Sequence, residues 1–166
     1  VSKSVFQFLS RGALAAGLLA ASAALAPSQA QSAGPFAGLE GAWSGTGTIQ
    51  VADGGSERIR CKANYTVASQ GNQLQQALRC ASDSYRFDLN SDVISRSGNL
   101  TGTWSETSRN INGGIEGKAG NGQFRALVTA NGFAAELSMI AKGNKQTISI
   151  SSENTQLKGV QITLAR

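Results

Sequence analysis

Asn-Gly stands at 121–122 and again at 131–132, and Gly-Asn at 143–144, each between runs in which every second residue is apolar. Two-residue loops of this composition mark β-hairpins, because Asn and Gly accept the positive φ that the tight turn demands. They also fix register. Asn131-Gly132 sets Ala130 opposite Phe133, Val128 opposite Ala135, Ala126 opposite Leu137 and Phe124 opposite Met139. Asn121-Gly122 pairs Ala119 with Phe124 and Ile115 with Val128, while Gly143-Asn144 pairs Met139 with Ile148 and Leu137 with Ile150. Apolar meets apolar throughout, so four successive strands are predicted to share one inner face.

The same alternation runs through the earlier half. Ile59, Cys61, Ala63, Tyr65 and Val67 fall on one face of a strand, and Arg58, Arg60, Lys62, Asn64 and Thr66 on the other. Further strands are predicted over 43–51, 74–80, 85–93, 100–106, 115–119, 124–130, 133–141, 145–150 and 157–164. With 20 Gly and only 2 Pro, the composition suits short strands and tight turns. The expected fold class is all-β: an antiparallel up-and-down meander of about 8–10 strands closed into a small barrel, since closure removes the two open edges. Apolar parity slips between Leu157 and Val160, which predicts a bulge at Lys158-Gly159.

The cysteines give a second handle on register. A two-residue loop at Gln70-Gly71, or a four-residue loop from Ser69 to Asn72, sets Val67 opposite Leu74, Ala63 opposite Leu78 and Cys61 opposite Cys80. A Cys61–Cys80 disulfide is therefore expected, and it suits an exported chain. Export is indicated by the first 30 residues. Lys3 and Arg11 precede the uncharged run from Gly12 to Ala26; Pro27 follows, then Ser28-Gln29-Ala30, with small residues where a signal peptidase reads. The apolar run falls short of the roughly 20 residues a bilayer crossing takes, so no membrane span is expected after cleavage at Ala30. Gln31 rather than Cys follows, which argues against a lipid anchor. Val1 reads as a bacterial alternative start. The expected organisation is a signal peptide over 1–30, a flexible N-terminal arm over 31–38 and one barrel domain over 39–166, in the bacterial periplasm or medium.

Charge and composition exclude several function classes. The formal charge of +5 falls to +3 once Lys3 and Arg11 leave with the leader, and basic residues are interspersed with acids, so nucleic acid is not an expected partner. The chain has no histidine, which removes the commonest general base and transition-metal ligand. No P-loop or dinucleotide fingerprint occurs. No catalytic residue, metal or cofactor is expected, and the protein is not expected to be an enzyme. An outer-membrane barrel would want aromatic girdles, whereas only 6% of residues are aromatic.

The predicted inner face is the candidate site. It carries Trp43, Tyr65, Phe87, Trp104, Phe124 and Met139 beside many Gly and Ala, so these side chains either fill a core or line an apolar cavity for one small molecule. Gln76 opposite Tyr65, Glu106 opposite Phe87, and Gln146 put polar groups on the same face. Leu39-Glu40-Gly41-Ala42-Trp43 resembles the Gly-x-Trp opening of the first strand in calycins, the lipocalin and avidin-like barrels; Leu100-Thr101-Gly102-Thr103-Trp104 repeats it at the fifth strand. The resemblance implies a ligand-binding barrel with Trp43 closing one end. The lipocalin C-terminal helix and its arginine are not visible in the sequence, and avidin's biotin-contacting residues have no one-to-one match. A second likeness is to secreted bacterial metalloprotease inhibitors, for which 31–36 would be the arm. The expected function is a periplasmic or secreted lipocalin-like carrier or sensor of a small apolar molecule. The alternatives are a protease-inhibitor-like barrel and an envelope module that meets a protein partner through Thr101, Thr103, Ser105 and Thr107.

Overall fold

The computed structural model describes residues 33–153 and 155–166. The predicted signal peptide, and the first two residues of the predicted arm, lie outside them. Ten antiparallel strands follow one another: β1 (Gly41–Val51), β2 (Ser56–Ala68), β3 (Gln73–Ala81), β4 (Arg86–Arg96), β5 (Asn99–Glu106), β6 (Ile111–Gly120), β7 (Gln123–Ala130), β8 (Phe133–Lys142), β9 (Lys145–Ser151) and β10 (Leu157–Ala165). Each pairs with its neighbours in sequence, and β1 pairs with β10, so the meander closes into a barrel. The all-β barrel read from the sequence is the fold observed.

The turns set the register as expected. Phe124 faces Met139 and Val128 faces Ala135 across β7–β8, Ile115 faces Val128 across β6–β7, and Met139 faces Ile148 across β8–β9. Between β2 and β3 the chain takes the four-residue loop, with Ser69 (φ 52°), Gln70 (φ 55°) and Gly71 (φ 89°) all left-handed. Cys61 then meets Cys80 and the two are bonded, with Cα atoms 4.1 Å apart. At the closing seam Gly159 faces Gln50 while Leu157 faces Val51, so Lys158 is the extra residue of the predicted bulge. Gly45 lies in this seam opposite Leu164, where a Cβ would run into the Thr163 carbonyl. Only glycine lets β1 come this close to β10.

Two expectations are corrected. Glu106 faces Leu89, not Phe87, because β4 and β5 join through a two-residue turn at Ser97 (φ 51°) and Gly98 (φ 79°) that pairs Arg96 with Asn99. Residues 33–38 are not a free arm. Gly34 donates its N–H to the Gln70 carbonyl and Phe36 to the Gly71 carbonyl, and Phe36 is 1% exposed. The reason is hydrophobic: Phe36 and Leu39 bury their side chains over the open top of the barrel rather than leave both in water.

The core is the barrel interior. Trp43, Ile49, Ile59, Cys61, Tyr65, Leu78, Cys80, Val160, Ile162 and Leu164 are buried on β1, β2, β3 and β10. The outer face is polar, with Ile94, Leu127 and Ile140 as separated apolar residues among Ser, Thr, Asn, Gln and charged groups. This is not the continuous apolar band that a lipid-facing barrel presents. Among the described residues no helix is long and apolar enough to cross a membrane.

Candidate ligand-binding site

The two ends of the barrel differ. Odd strands run from the end where β1 begins to the other end, and even strands return. At the first end Phe36 stacks on Phe124 with ring centroids 5.7 Å apart. Beside them, Trp43 donates its indole N–H to the Leu39 carbonyl at 2.8 Å and packs edge-on against Tyr65 at 6.4 Å. Arg166 lies over the Trp43 ring at 4.6 Å and donates to the Glu40 carbonyl at 2.8 Å. An arginine directly after β10 thus reaches Trp43, a partnership that no local sequence pattern announces. This end is sealed: Trp43, Tyr65 and Phe124 are each at most 3% exposed.

Toward the other end, several inward-facing side chains of β4 to β9 are only half-buried, whereas Val93, Leu100, Phe124, Met139 and Ile148 on the same strands are buried nearer the first end. Phe87 and Leu89 on β4, Trp104 on β5, Ile115 on β6, Val128 on β7, Phe133 and Leu137 on β8 and Ile150 on β9 all belong to this set. They project from the same side of the sheet as the sealed core, yet they keep contact with water. Of the residues singled out in the sequence, Trp104 and Phe87 belong here, with Gln76 and its neighbour Ser91 half-buried beside them. Trp43, Tyr65, Phe124 and Met139 do not; they are buried in the core at the first end. Phe133, Leu137 and Ile150 complete the wetted set, and their inward parity was the one signal that could have found them.

Local geometry places each aromatic. Trp104 sits opposite Gly113, and its indole crosses that glycine to donate to the Thr129 carbonyl on β7 at 3.0 Å. A Cβ on Gly113 would meet the Thr129 carbonyl and the indole nitrogen, so the glycine is what lets the ring lie flat across the strand. Phe133 meets Trp104 edge-on at 6.0 Å. Phe87 stacks on Tyr85 at 6.4 Å and is covered by the Arg109 guanidinium at 5.2 Å, at the rim.

Glu106 has a different task from the one its parity suggested. Its carboxylate accepts the backbone N–H groups of Asp88 at 3.0 Å, Ser108 at 3.3 Å and Arg109 at 2.7 Å, together with the Ser108 hydroxyl. It clamps the β5–β6 loop and has no oxygen left over for a ligand. Burial pushes its carboxyl up, but these hydrogen bonds outweigh burial and hold it below the ordinary carboxylate range.

The remaining polar groups of the interior sit deeper. Gln146 on β9 is 0% exposed, and its Oε1 accepts the Tyr65 hydroxyl at 3.0 Å, while its Nε2 has no hydrogen-bond partner. Burial pushes the Tyr65 hydroxyl up to about 12, the Gln146 contact opposing it, so this hydroxyl stays protonated. Outside, a shallow depression of about 610 Å³ crosses β2 to β6, lined by polar outward residues such as Asn64, Thr66, Asn90 and Thr103.

Fold and site together define a closed ten-stranded meander, plugged at the end where β1 begins, with half-buried apolar side chains facing inward toward the opposite loops. No protein-family model matches the sequence, and no curated protein does so. Among solved structures, the fold is similar to that of Rv2717c from M. tuberculosis, with a TM-score of 0.61 and 12% identity over 77% of this chain and 92% of that one. It is also similar to that of the S-type phycobiliprotein lyase CPES from Guillardia theta, with a TM-score of 0.58 and 10% identity over 79% of this chain and 89% of that one. At these identities the likeness is one of fold.

Proposed function

We propose that this protein is a calycin-type barrel that binds a small apolar molecule in its half-wetted interior, as a carrier or sensor and without catalysing a reaction. One observation carries the reading: toward the end opposite the plug, apolar side chains that face inward from β4 to β9, Phe87, Leu89, Trp104, Val128, Phe133 and Ile150 among them, stay half-buried, whereas Val93, Leu100, Phe124, Met139 and Ile148 nearer the plug are sealed. A barrel of ten strands is wider than the eight-stranded kind whose interior side chains can just fill, and unfilled apolar lining is what a small ligand covers. The phycobiliprotein lyase among the structural neighbours, by its name, acts on phycobiliproteins, which is consistent with a barrel that handles a guest. The disulfide suits the periplasm or the medium as the working compartment. The inhibitor-like alternative loses residues 33–36 as a free arm, since they pack onto the barrel.

Titration with a library of lipids and aromatics, followed by tryptophan fluorescence and native mass spectrometry of protein from its own periplasm, tests the reading. Saturable fluorescence change is expected, lost in Trp104→Phe as signal and in Val128→Trp as binding. A consistently ligand-free mass with fluorescence unmoved by every compound sinks it.

A further inference from the structure

Among the charged side chains of the described strands only two share the inward parity, and both are acids: Glu57, opposite Ile49 at the start of β2 with its carboxylate accepting the Ser84 N–H, and Glu106, whose oxygens are taken by the Asp88 N–H of β4 and by its own loop. No Lys or Arg projects into the barrel, so the interior offers nothing to neutralise a buried anion, and burying an unpaired carboxylate is prohibitively costly. The interior does offer hydrogen-bond donors. Gln146 Nε2 carries two hydrogens with no acceptor at a site that is 0% exposed. Turning the amide over does not remove the surplus: Nε2 would then give one hydrogen to Tyr65 Oη, leaving its second hydrogen and the Tyr65 hydroxyl hydrogen both unmatched. Buried donors without acceptors are rare in native proteins and call for a partner that the chain itself does not supply.

The route to this donor is marked by further polar groups. Tyr65 on β2 faces Gln76 on β3, Gln76 faces Ser91 on β4, and Ser91 faces Trp104 on β5, all pointing inward. Gln76 accepts from the Ser91 hydroxyl at 3.5 Å. This row starts at the sealed Tyr65–Gln146 pair and ends at the half-buried Trp104, so the donor pair is joined to the wetted lining by a polar track through otherwise apolar walls.

We infer that Gln146, with Tyr65 and Gln76, is the polar end of the ligand site, and that its ligand class is an apolar molecule bearing a neutral hydrogen-bond acceptor, the carbonyl of a ketone, ester or amide. The inference rests on the proposed interior binding and adds the ligand's chemistry to it. The apolar body lies against Trp104, Val128 and Leu137, and the carbonyl reaches the Gln146 amide. The high protonation range of Tyr65 keeps its hydroxyl a donor at every physiological pH.

Three matched probes test it on the full chain: 1-acetylnaphthalene, 1-ethylnaphthalene and 1-naphthoate, with the Gln146 side-chain amide followed by NMR. The ketone is expected to bind about tenfold tighter than the hydrocarbon, equivalent to about 1.4 kcal/mol, and to shift the Gln146 Nε2 resonances, with naphthoate the weakest. Gln146→Leu is expected to abolish the preference for the ketone over the hydrocarbon. Equal affinities of ketone and hydrocarbon with an unmoved Gln146 resonance overturn the inference and leave apolar binding standing. So does a water that stays on Gln146 when the ketone is bound, or a preference for naphthoate. If none of the three binds, the interior-binding reading falls and takes this inference with it.

Discussion

Glu106 illustrates how one side chain can be legible in position and not in role. Its inward parity follows from the alternation, but its partner across β4–β5 is Leu89, two residues from Phe87, because the register is set by a Ser97-Gly98 turn that lacks the Asn-Gly or Gly-Asn pattern of the β6 to β9 hairpins. The consequence at the residue is measurable. Three of its four donors belong to the loop that follows and the fourth is the Asp88 N–H of β4, so Glu106→Gln places an amide N–H₂ among N–H groups and leaves donors facing donors. A loss of about 1–3 kcal/mol at pH 7 is expected, read as a lower urea midpoint. The pH dependence has a defined sign. Because the folded-state carboxyl is held below its unfolded value of about 4.3, its stabilisation is fully present above that value. It is lost as pH falls through the lowered folded value. The gap between wild type and variant is therefore expected to hold steady through neutral pH and to close on the acid limb.

Among the elements, the hairpins were the most readable part of the chain, since each Asn-Gly or Gly-Asn turn fixes a register and apolar parity then tests it. The segment before β1 was the least readable. Phe36 and Leu39 lie in a short turn with no period to betray them, and their burial depends on a barrel end assembled from strands far away in sequence. Phe36→Ala is expected to cost about 3–5 kcal/mol by emptying the plug against Phe124, with the denaturation midpoint falling and its slope nearly unchanged. The aromatic site residues divide for the same reason: parity showed which face each side chain takes, but only the plug decides that Trp43, Tyr65 and Phe124 are sealed while Trp104 is not. The β2–β3 hairpin carries its own test. Cys61 and Cys80 are 19 residues apart, and reducing them frees a loop whose closure is worth roughly 2–5 kcal/mol. Thiol titration of the denatured, unreduced protein is expected to find none, and reduction is expected to lower the midpoint without changing the far-ultraviolet β signature.

For the whole molecule, the difference between its ends is the property to measure first. Trp43 is 2% exposed at the plugged end, and Trp104 is half-buried toward the other. In single-tryptophan variants, acrylamide is expected to quench Trp104 several times more efficiently than Trp43; comparable quenching would mean that the barrel is equally open, or equally filled, at both ends. The seam between β1 and β10 reaches further still. Every other strand pairing joins neighbours in sequence across a short loop, whereas this one brings Ser44 beside Ala165 and Ile49 beside Val160. Folding therefore divides into hairpins that zip up locally and one long-range search that cannot begin to repay its loop entropy until the others are in place. The rate at which the protein reaches its native state is therefore expected to be set at that single closure, with Gly45, Gly47 and the Lys158 bulge as the residues through which mutation slows or hastens it.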